Sequence, residues 1–148
     1  TQGYFNRPDA NADAFTADGW LRSGDLGTIN EAGELHYIAR LKELIRVGGE
    51  NMAPAEVEQA IRDATGMQHV CVLGIPDGRL DEVPAAVIIG AHSADWPQVL
   101  GELRTKLAGF KIPRAVYHAP QFPLTATNRV QRAVLREWIV AGDLERIA

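Results

Sequence analysis

Apolar residues change their spacing along the chain, and the spacing assigns the elements. Val57, Ala60, Ile61 and Ala64 recur at the interval of one helix face. Pro54 ahead of them suits a first helical turn, where a missing N–H costs nothing, and Gly66 ends the run. Val99, Leu100, Leu103 and Leu107 repeat the pattern behind Asp95 as cap, with Gly109 after it. A last helix is expected over residues 131–140, burying Val134, Leu135, Trp138 and Ile139. Between the helices lie continuous apolar runs of strand type. Residues 70–75 form one, stopped by the turn Pro76-Asp77-Gly78, and residues 83–89 another. Pro84 assigns that end of the second run to an edge or a strand start, because proline cannot donate to a ladder. Residues 115–118 supply a short third strand.

The beginning of the chain reads differently. Residues 26–29 and 35–38 are short apolar runs around Asn30-Glu31-Ala32-Gly33-Glu34, a hairpin loop containing Gly. Arg7-Pro8-Asp9 and Asp18-Gly19 are turn signals. Residues 41–47 offer Leu44, Ile45 and Val47 to a strand that Gly48-Gly49 ends. From there the order is hairpin, helix, strand, strand, helix, strand, helix, which predicts a small α+β sandwich with helices covering a three-stranded sheet. The change of character places a boundary at Leu41-Lys42 and divides the chain into residues 1–41 and 42–148. Thr1-Gln2-Gly3-Tyr4 has no initiator Met and opens in turn-forming sequence, as expected of a fragment.

Composition narrows the classes. Of 148 residues, 46% are hydrophobic and 23% charged, enough for a core and unlike a disordered chain. Fifteen Lys and Arg against nineteen Asp and Glu give a net charge of −4, which argues against nucleic-acid or anionic-membrane binding by bulk charge. No apolar run approaches the roughly 20 residues of a membrane span. The single Cys71 cannot form an internal disulfide and sits in an apolar run, so it reads as core in a reducing, cytoplasmic setting. His36, His69, His92 and His118 show no metal-ligand spacing with one another or with Cys71. Ser23, Asp25 and His36 share a stretch without a nucleophile elbow, which excludes a hydrolase triad there.

Four segments could carry chemistry. Asp25, between Gly24 and a short strand, can accept two hydrogen bonds from a vicinal diol such as a ribose, or serve an Asx-type turn. Arg40 and Lys42 point to one face if their segment is extended, either onto a ligand or into solvent. Gly48-Gly49 lacks the spacing and the Lys of a phosphate loop; it allows close backbone approach to a thin ligand, or makes a tight turn. In the polar loop from Pro123 to Arg132, Thr127 or Asn128 can cap the last helix. Arg129 near a helix N-terminus then calls for an anionic partner, a ligand phosphate or a surface carboxylate.

Taken in order, these segments resemble the C-terminal portion of acyl- and aryl-CoA ligases of the adenylate-forming superfamily. The resemblance rests on five motifs across nearly the whole chain. The first runs from Gly3-Tyr4-Phe5-Asn6-Arg7-Pro8 through Gly19-Trp20-Leu21-Arg22-Ser23-Gly24-Asp25, and the second is Arg40-Leu41-Lys42-Glu43-Leu44-Ile45 with Gly48-Gly49-Glu50-Asn51-Met52-Ala53-Pro54-Ala55-Glu56-Val57-Glu58. Gly74-Ile75-Pro76-Asp77, Phe110-Lys111-Ile112-Pro113-Arg114 and Pro123 to Arg132 complete them. The resemblance implies the tail of a large N-terminal adenylation domain over residues 1–41 and a small mobile domain over 42–148. It implies a two-step reaction in which a carboxylic acid and ATP give an acyl-adenylate and CoA then gives a thioester, with the small domain rotating between the steps.

By position, Asp25 would bind the ribose hydroxyls, Arg40 would assist at the nucleotide and Lys42 would be the hinge. Gly48 and Gly49 would line the pantetheine channel, and Lys111 and Arg114 are candidates for the CoA phosphates. Arg129 stands where the family usually has the adenylating Lys, behind Asn128 in place of Gly. Ala39 replaces the Gly or Asp common before the hinge Arg, and Asp81 stands where Gly often precedes Glu82. Mg2+ is expected with ATP. The phosphate loop, adenine site and acyl pocket of the large domain are not in this sequence, so the isolated chain is expected to be inactive. Alternatives are a free-standing non-catalytic module for CoA or a partner protein, and an adenylating enzyme that loads a carrier protein.

Overall fold

The computed structural model describes residues 1–90 and 94–148; His92 lies outside the described residues. The chain divides into two compact units, Thr1–Lys42 and Glu43–Ala148. The first holds a short helix, α1 (Pro8–Ala14), and an antiparallel hairpin, β1 (Asp25–Ile29) with β2 (Leu35–Arg40). The turn signal at Arg7-Pro8-Asp9 therefore opens a helix instead, since the fixed φ and absent N–H of Pro8 suit its first turn. Alternating Asp, Asn and Ala give α1 no apolar stripe, and it buries nothing. The hairpin loop closes on Asn30, whose side chain accepts from the Glu34 amide at 2.9 Å. Ala39 is the one buried residue of this unit.

The second unit contains β3 (Ile45–Val47), β4 (Glu50–Met52), α2 (Pro54–Thr65), β5 (Val70–Asp77), β6 (Asp81–Ile88), α3 (Trp96–Lys106), β7 (Ala115–His118), α4 (Arg132–Ala141) and β8 (Glu145–Arg146). The expected three-stranded sheet of β5, β6 and β7 is the centre of a six-stranded one. β6 pairs antiparallel with β5 along its whole length and parallel with β7 on its other edge. The β3–β4 hairpin joins through the single pair Val47↔Asp81, and β8 pairs antiparallel with β7.

Three expectations are corrected. Pro84 lies inside the central strand, not at an edge. Its carbonyl accepts from the Arg114 amide at 2.8 Å, so its nitrogen faces the same side, in the gap between the β3 pair and the first β7 pair, where no ladder bond is lost. Residues 41–43 form a 3-10 turn rather than the start of a strand, which ends the alternation argument for Arg40 and Lys42. Finally, α4 begins at Arg132 with no side-chain cap, so neither Thr127 nor Asn128 caps it.

The helix ends otherwise follow the local chemistry. Gly66 takes the left-handed conformation that closes α2, and the Asp95 carboxylate accepts from the Gln98 amide at the start of α3. The sheet separates two apolar layers. Val57, Ile61, Val99 and Leu103 of α2 and α3 pack with Val72, Ile88 and Val116. Leu135 of α4 packs with Cys71, Leu73, Val87 and Leu144. Val72 thus faces one layer and its neighbours Cys71 and Leu73 the other, as strand alternation requires.

Candidate functional site

In the first unit, the antiparallel register sets Asp25 opposite Arg40, and an Asp25 oxygen lies 3.3 Å from Arg40 Nε. The local turn is made by Ser23, whose hydroxyl accepts from the Asp25 amide at 3.1 Å. The Asp25 carboxylate is therefore engaged by Arg40 and not by its own backbone. Lys42 is exposed in its 3-10 turn.

In the second unit, Gly48 and Gly49 form the two-residue turn between β3 and β4 with φ of 58° and 92°. Two successive positive φ values define the hairpin turn whose twist matches its strands, which accounts for both glycines. The Gly48 amide donates to the Leu80 carbonyl at 2.8 Å, and a Cβ there would lie 3.0 Å from the Leu80 side chain. A Cβ at Gly49 would meet nothing within 4 Å.

The two candidate phosphate-binding cations differ. Lys111 Nζ lies 2.6 Å from a Glu56 oxygen and 5.8 Å from the Phe110 ring centroid, so its charge is already paired. Arg114 lines an open cavity of about 570 Å³ with Asp77, Gly78, Arg79, Leu80 and Val83. Arg79 adds a second cation that the sequence reading missed, although its place beside the Pro76-Asp77-Gly78 turn was a usable signal. The Asp77 carboxylate accepts from the amides of Arg79 and Leu80, both at 2.9 Å, which holds it below the usual carboxylate range. Asp81 follows with φ of 70°, the left-handed backbone for which Gly is the common choice.

Arg129 sits at the end of a tightly stitched loop. Leu124 and Val130 bridge antiparallel, the Thr125 amide donates to the Arg129 carbonyl at 2.9 Å, and the Arg129 amide donates to the Thr125 hydroxyl at 3.1 Å. Asn128 has φ of 58°, one of the few non-glycine residues that tolerate it, so the loop keeps the turn a glycine would make. Gln131 ties the loop base, its amide donating to Pro123 and its side chain to the Leu124 carbonyl, each at 2.8 Å. The Arg129 side chain is exposed and precedes α4 by three positions. Among the described residues its guanidinium has no ion pair, so of the two anionic partners considered, a ligand phosphate and a surface carboxylate, the second is not found there.

The strongest polar cluster was not foreseen. Arg132 donates to Glu43 at 3.1 Å, to Glu58 at 2.7 Å and to the Val72 carbonyl at 3.3 Å, while the same Glu58 oxygen accepts the Val72 amide at 2.9 Å. Burial works against the Arg132 charge, but Cys71, Glu58 and Glu43 beside it hold the guanidinium above its ordinary value. Burial pushes the neighbouring Cys71 thiol up to about 12, against the pull of Arg132. Nearby, Arg136 pairs with Glu82, whose other oxygen accepts the Arg46 amide at 3.2 Å. Among the described residues no cluster of His, Cys, Asp and Glu could hold a metal ion, and no helix is long and apolar enough to cross a membrane.

The chain is similar to known proteins along most of its length. The chain is 39% identical over 137 residues to a feruloyl-CoA synthase of Amycolatopsis, a match covering 91% of this chain and 28% of that protein. It is 39% identical over 135 residues to a long-chain-fatty-acid–CoA ligase of Mycobacterium tuberculosis, covering 90% of this chain and 27% of that protein. Its structure superposes on o-succinylbenzoate CoA synthetase of Bacillus subtilis, solved with an acyl-adenylate intermediate, with a TM-score of 0.84, 32% identity and coverage of 91% and 28%. ATP-bound MatB of Rhodopseudomonas palustris gives a TM-score of 0.81 at 36% identity, covering 92% and 27%. The chain thus spans little more than a quarter of the relatives it matches. The family model of the AMP-binding enzyme C-terminal domain matches residues 56–129, and the chain belongs to that family.

Proposed function

We propose that this chain is the C-terminal part of an ATP-dependent acid–CoA ligase, with residues 1–41 completing a larger adenylating domain and residues 42–148 moving between two half-reactions. In the first, a carboxylate oxygen attacks the α-phosphorus of ATP and pyrophosphate leaves. In the second, the CoA thiolate attacks the acyl carbon and AMP leaves. The observation that carries the reading is Arg129: an exposed cation without an ion pair among the described residues, at the end of a loop fastened at both ends. A cation so presented suits the charge that develops as pyrophosphate departs. Arg in place of Lys keeps that charge in a broader, planar form.

The other roles follow by position. Asp25 holds the ribose hydroxyls with Arg40 beside it, and Lys42 is the pivot. Gly48 and Gly49 leave a bare backbone for the pantetheine arm, and Arg114, with Lys111, meets the CoA phosphates. Mg2+ accompanies ATP. The acid, ATP and CoA are the partners, and the compartment is the cytoplasm. Three of the relatives described are named as CoA synthases, ligases or synthetases, which supports this choice of acceptor. A non-catalytic module is the second reading; the pairing of Lys111 with Glu56 occupies one of the two cations assigned to the CoA phosphates, and so favours a module for a partner protein over one for CoA.

The test replaces the corresponding C-terminal share of the Amycolatopsis feruloyl-CoA synthase with this chain. The chimera is expected to form feruloyl-CoA. Arg129→Ala is expected to slow pyrophosphate release by about 10²-fold, leaving thioester formation from preformed feruloyl-adenylate near its original rate. A folded chimera without either half-reaction would overturn the ligase reading. Turnover by the isolated chain would overturn its dependence on a larger domain.

A further inference from the structure

Main-chain groups on a buried strand edge need partners, and Val72 of β5 is fully buried. Among the described residues β5 pairs only with β6, and no strand lies on its other edge. At the middle of that edge, Val72 donates to Glu58 and accepts from Arg132, so two side chains occupy the places of a neighbouring strand. The same guanidinium reaches Glu43 through a third nitrogen. A planar fork holds its donors at fixed angles on three nitrogens, whereas an ammonium carries three rotatable donors on one.

The positions of these partners in the chain give the cluster its meaning. Glu43 directly follows Lys42, and Arg132 is the first residue of α4, three positions beyond Arg129. The intervening Gln131 is bound to both Pro123 and Leu124, so the loop from 123 to 131 and the start of α4 are held as one piece. A cation at a helix N-terminus opposes the helix dipole. Its placement is offset here by two carboxylates on separate segments, one of them on α2 and buried. Nothing about α4 itself calls for a cation at its first position.

We infer that Arg132 is a positioning residue, which clamps the segment following Lys42 to the loop that presents Arg129. The consequence for catalysis rests on the ligase reading above; the clamp itself does not. Loss of the Glu43 charge weakens its contact with Arg132 and frees the loop base to shift while Glu58 still holds Val72. Adenylation, which uses Arg129, then suffers, and thioester formation does not. Displacements of this kind, remote from the chemistry, are costly because reacting groups must lie in a narrow range of positions.

The discriminating variant is Glu43→Gln, because Arg132→Gln also strips the edge of β5 and endangers folding. Amide hydrogen exchange on this chain is read first. Glu43→Gln is expected to raise exchange over residues 124–131 and 43–46 roughly tenfold, with α3 and β6 unchanged. Arg132→Lys is expected to give the same local pattern. An unchanged loop, or a uniform rise across the unit, would overturn the clamp. In the feruloyl-CoA synthase chimera, Glu43→Gln is then expected to slow pyrophosphate release by up to about 10²-fold, with transfer from preformed feruloyl-adenylate within about twofold of the parent. Equal loss in both half-reactions would reduce Arg132 to a folding role and overturn the inference. An inactive parent chimera would count against the ligase reading alone, since the exchange result still decides the clamp.

Discussion

The two units of this chain use similar residue types to different ends. In Glu43–Ala148 a sheet is covered by helices on both faces, and Val57, Ile61, Val72, Val87, Leu103 and Leu135 are fully buried. In Thr1–Lys42 the large apolar residues face outward: Phe5 is 91% exposed, Leu35 75%, Trp20 73% and Ile29 72%. An isolated two-stranded hairpin is marginal in water, and a hydrophobic face of this kind needs a covering surface. The contrast separates a unit that buries its own apolar residues from one that leaves them exposed.

Cutting the chain after Lys42 tests this contrast most severely. The piece Glu43–Ala148 is expected to melt cooperatively and give a dispersed amide spectrum, and Thr1–Lys42 to give neither. A cooperative first unit would break the comparison. Next in size is the removal of a buried charge. Glu58→Ala leaves Arg132 with one carboxylate and the Val72 amide without its partner, and should cost about 3–5 kcal/mol in urea unfolding of the second unit.

A smaller effect follows from Cys71. Its folded value of about 12 lies above the ordinary 9.0, so the folded chain keeps the thiol neutral where the unfolded chain has ionised it. The associated stability is complete below pH 9 and is lost as pH rises towards about 12. Thermal melts across that window should fall more steeply for the parent than for Cys71→Ala. Smallest is Asp25→Asn in the first unit. It breaks a partly exposed pair with Arg40 and should change stability by less than about 1 kcal/mol. A cost near that of Glu58→Ala would show that both units protect their ion pairs equally.

What could be read from the sequence follows the range of the forces involved. The helices at 54–65, 96–106 and 132–141 and the central strands announced themselves through apolar spacing and end residues such as Gly66 and Asp95. Cys71 is core, as its run indicated. α1 was missed because it has no apolar face, and its Pro8 serves a turn or a helix start equally well. The attachment of β3 to β6 rests on one residue pair, and β8 is two residues long; neither leaves a local pattern. The loop around Arg129 was legible as polar, but its closure by the Leu124–Val130 bridge was not. The Arg132 cluster was invisible for the same reason in stronger form. Glu43, Glu58, Val72 and Arg132 come from four separate stretches, and only the completed sheet brings them together.

The side chains at Val72 bear on more than this chain's own packing. A bare strand edge is a template on which another molecule's strand can align, and proteins that remain monodisperse when crowded keep such edges blocked. Here the blockage consists of one carboxylate and one guanidinium, both reversible by substitution. Variants at Glu58 or Arg132 should therefore reveal themselves in light scattering of concentrated solutions, as growing assemblies, with a severity that dilute melting curves understate.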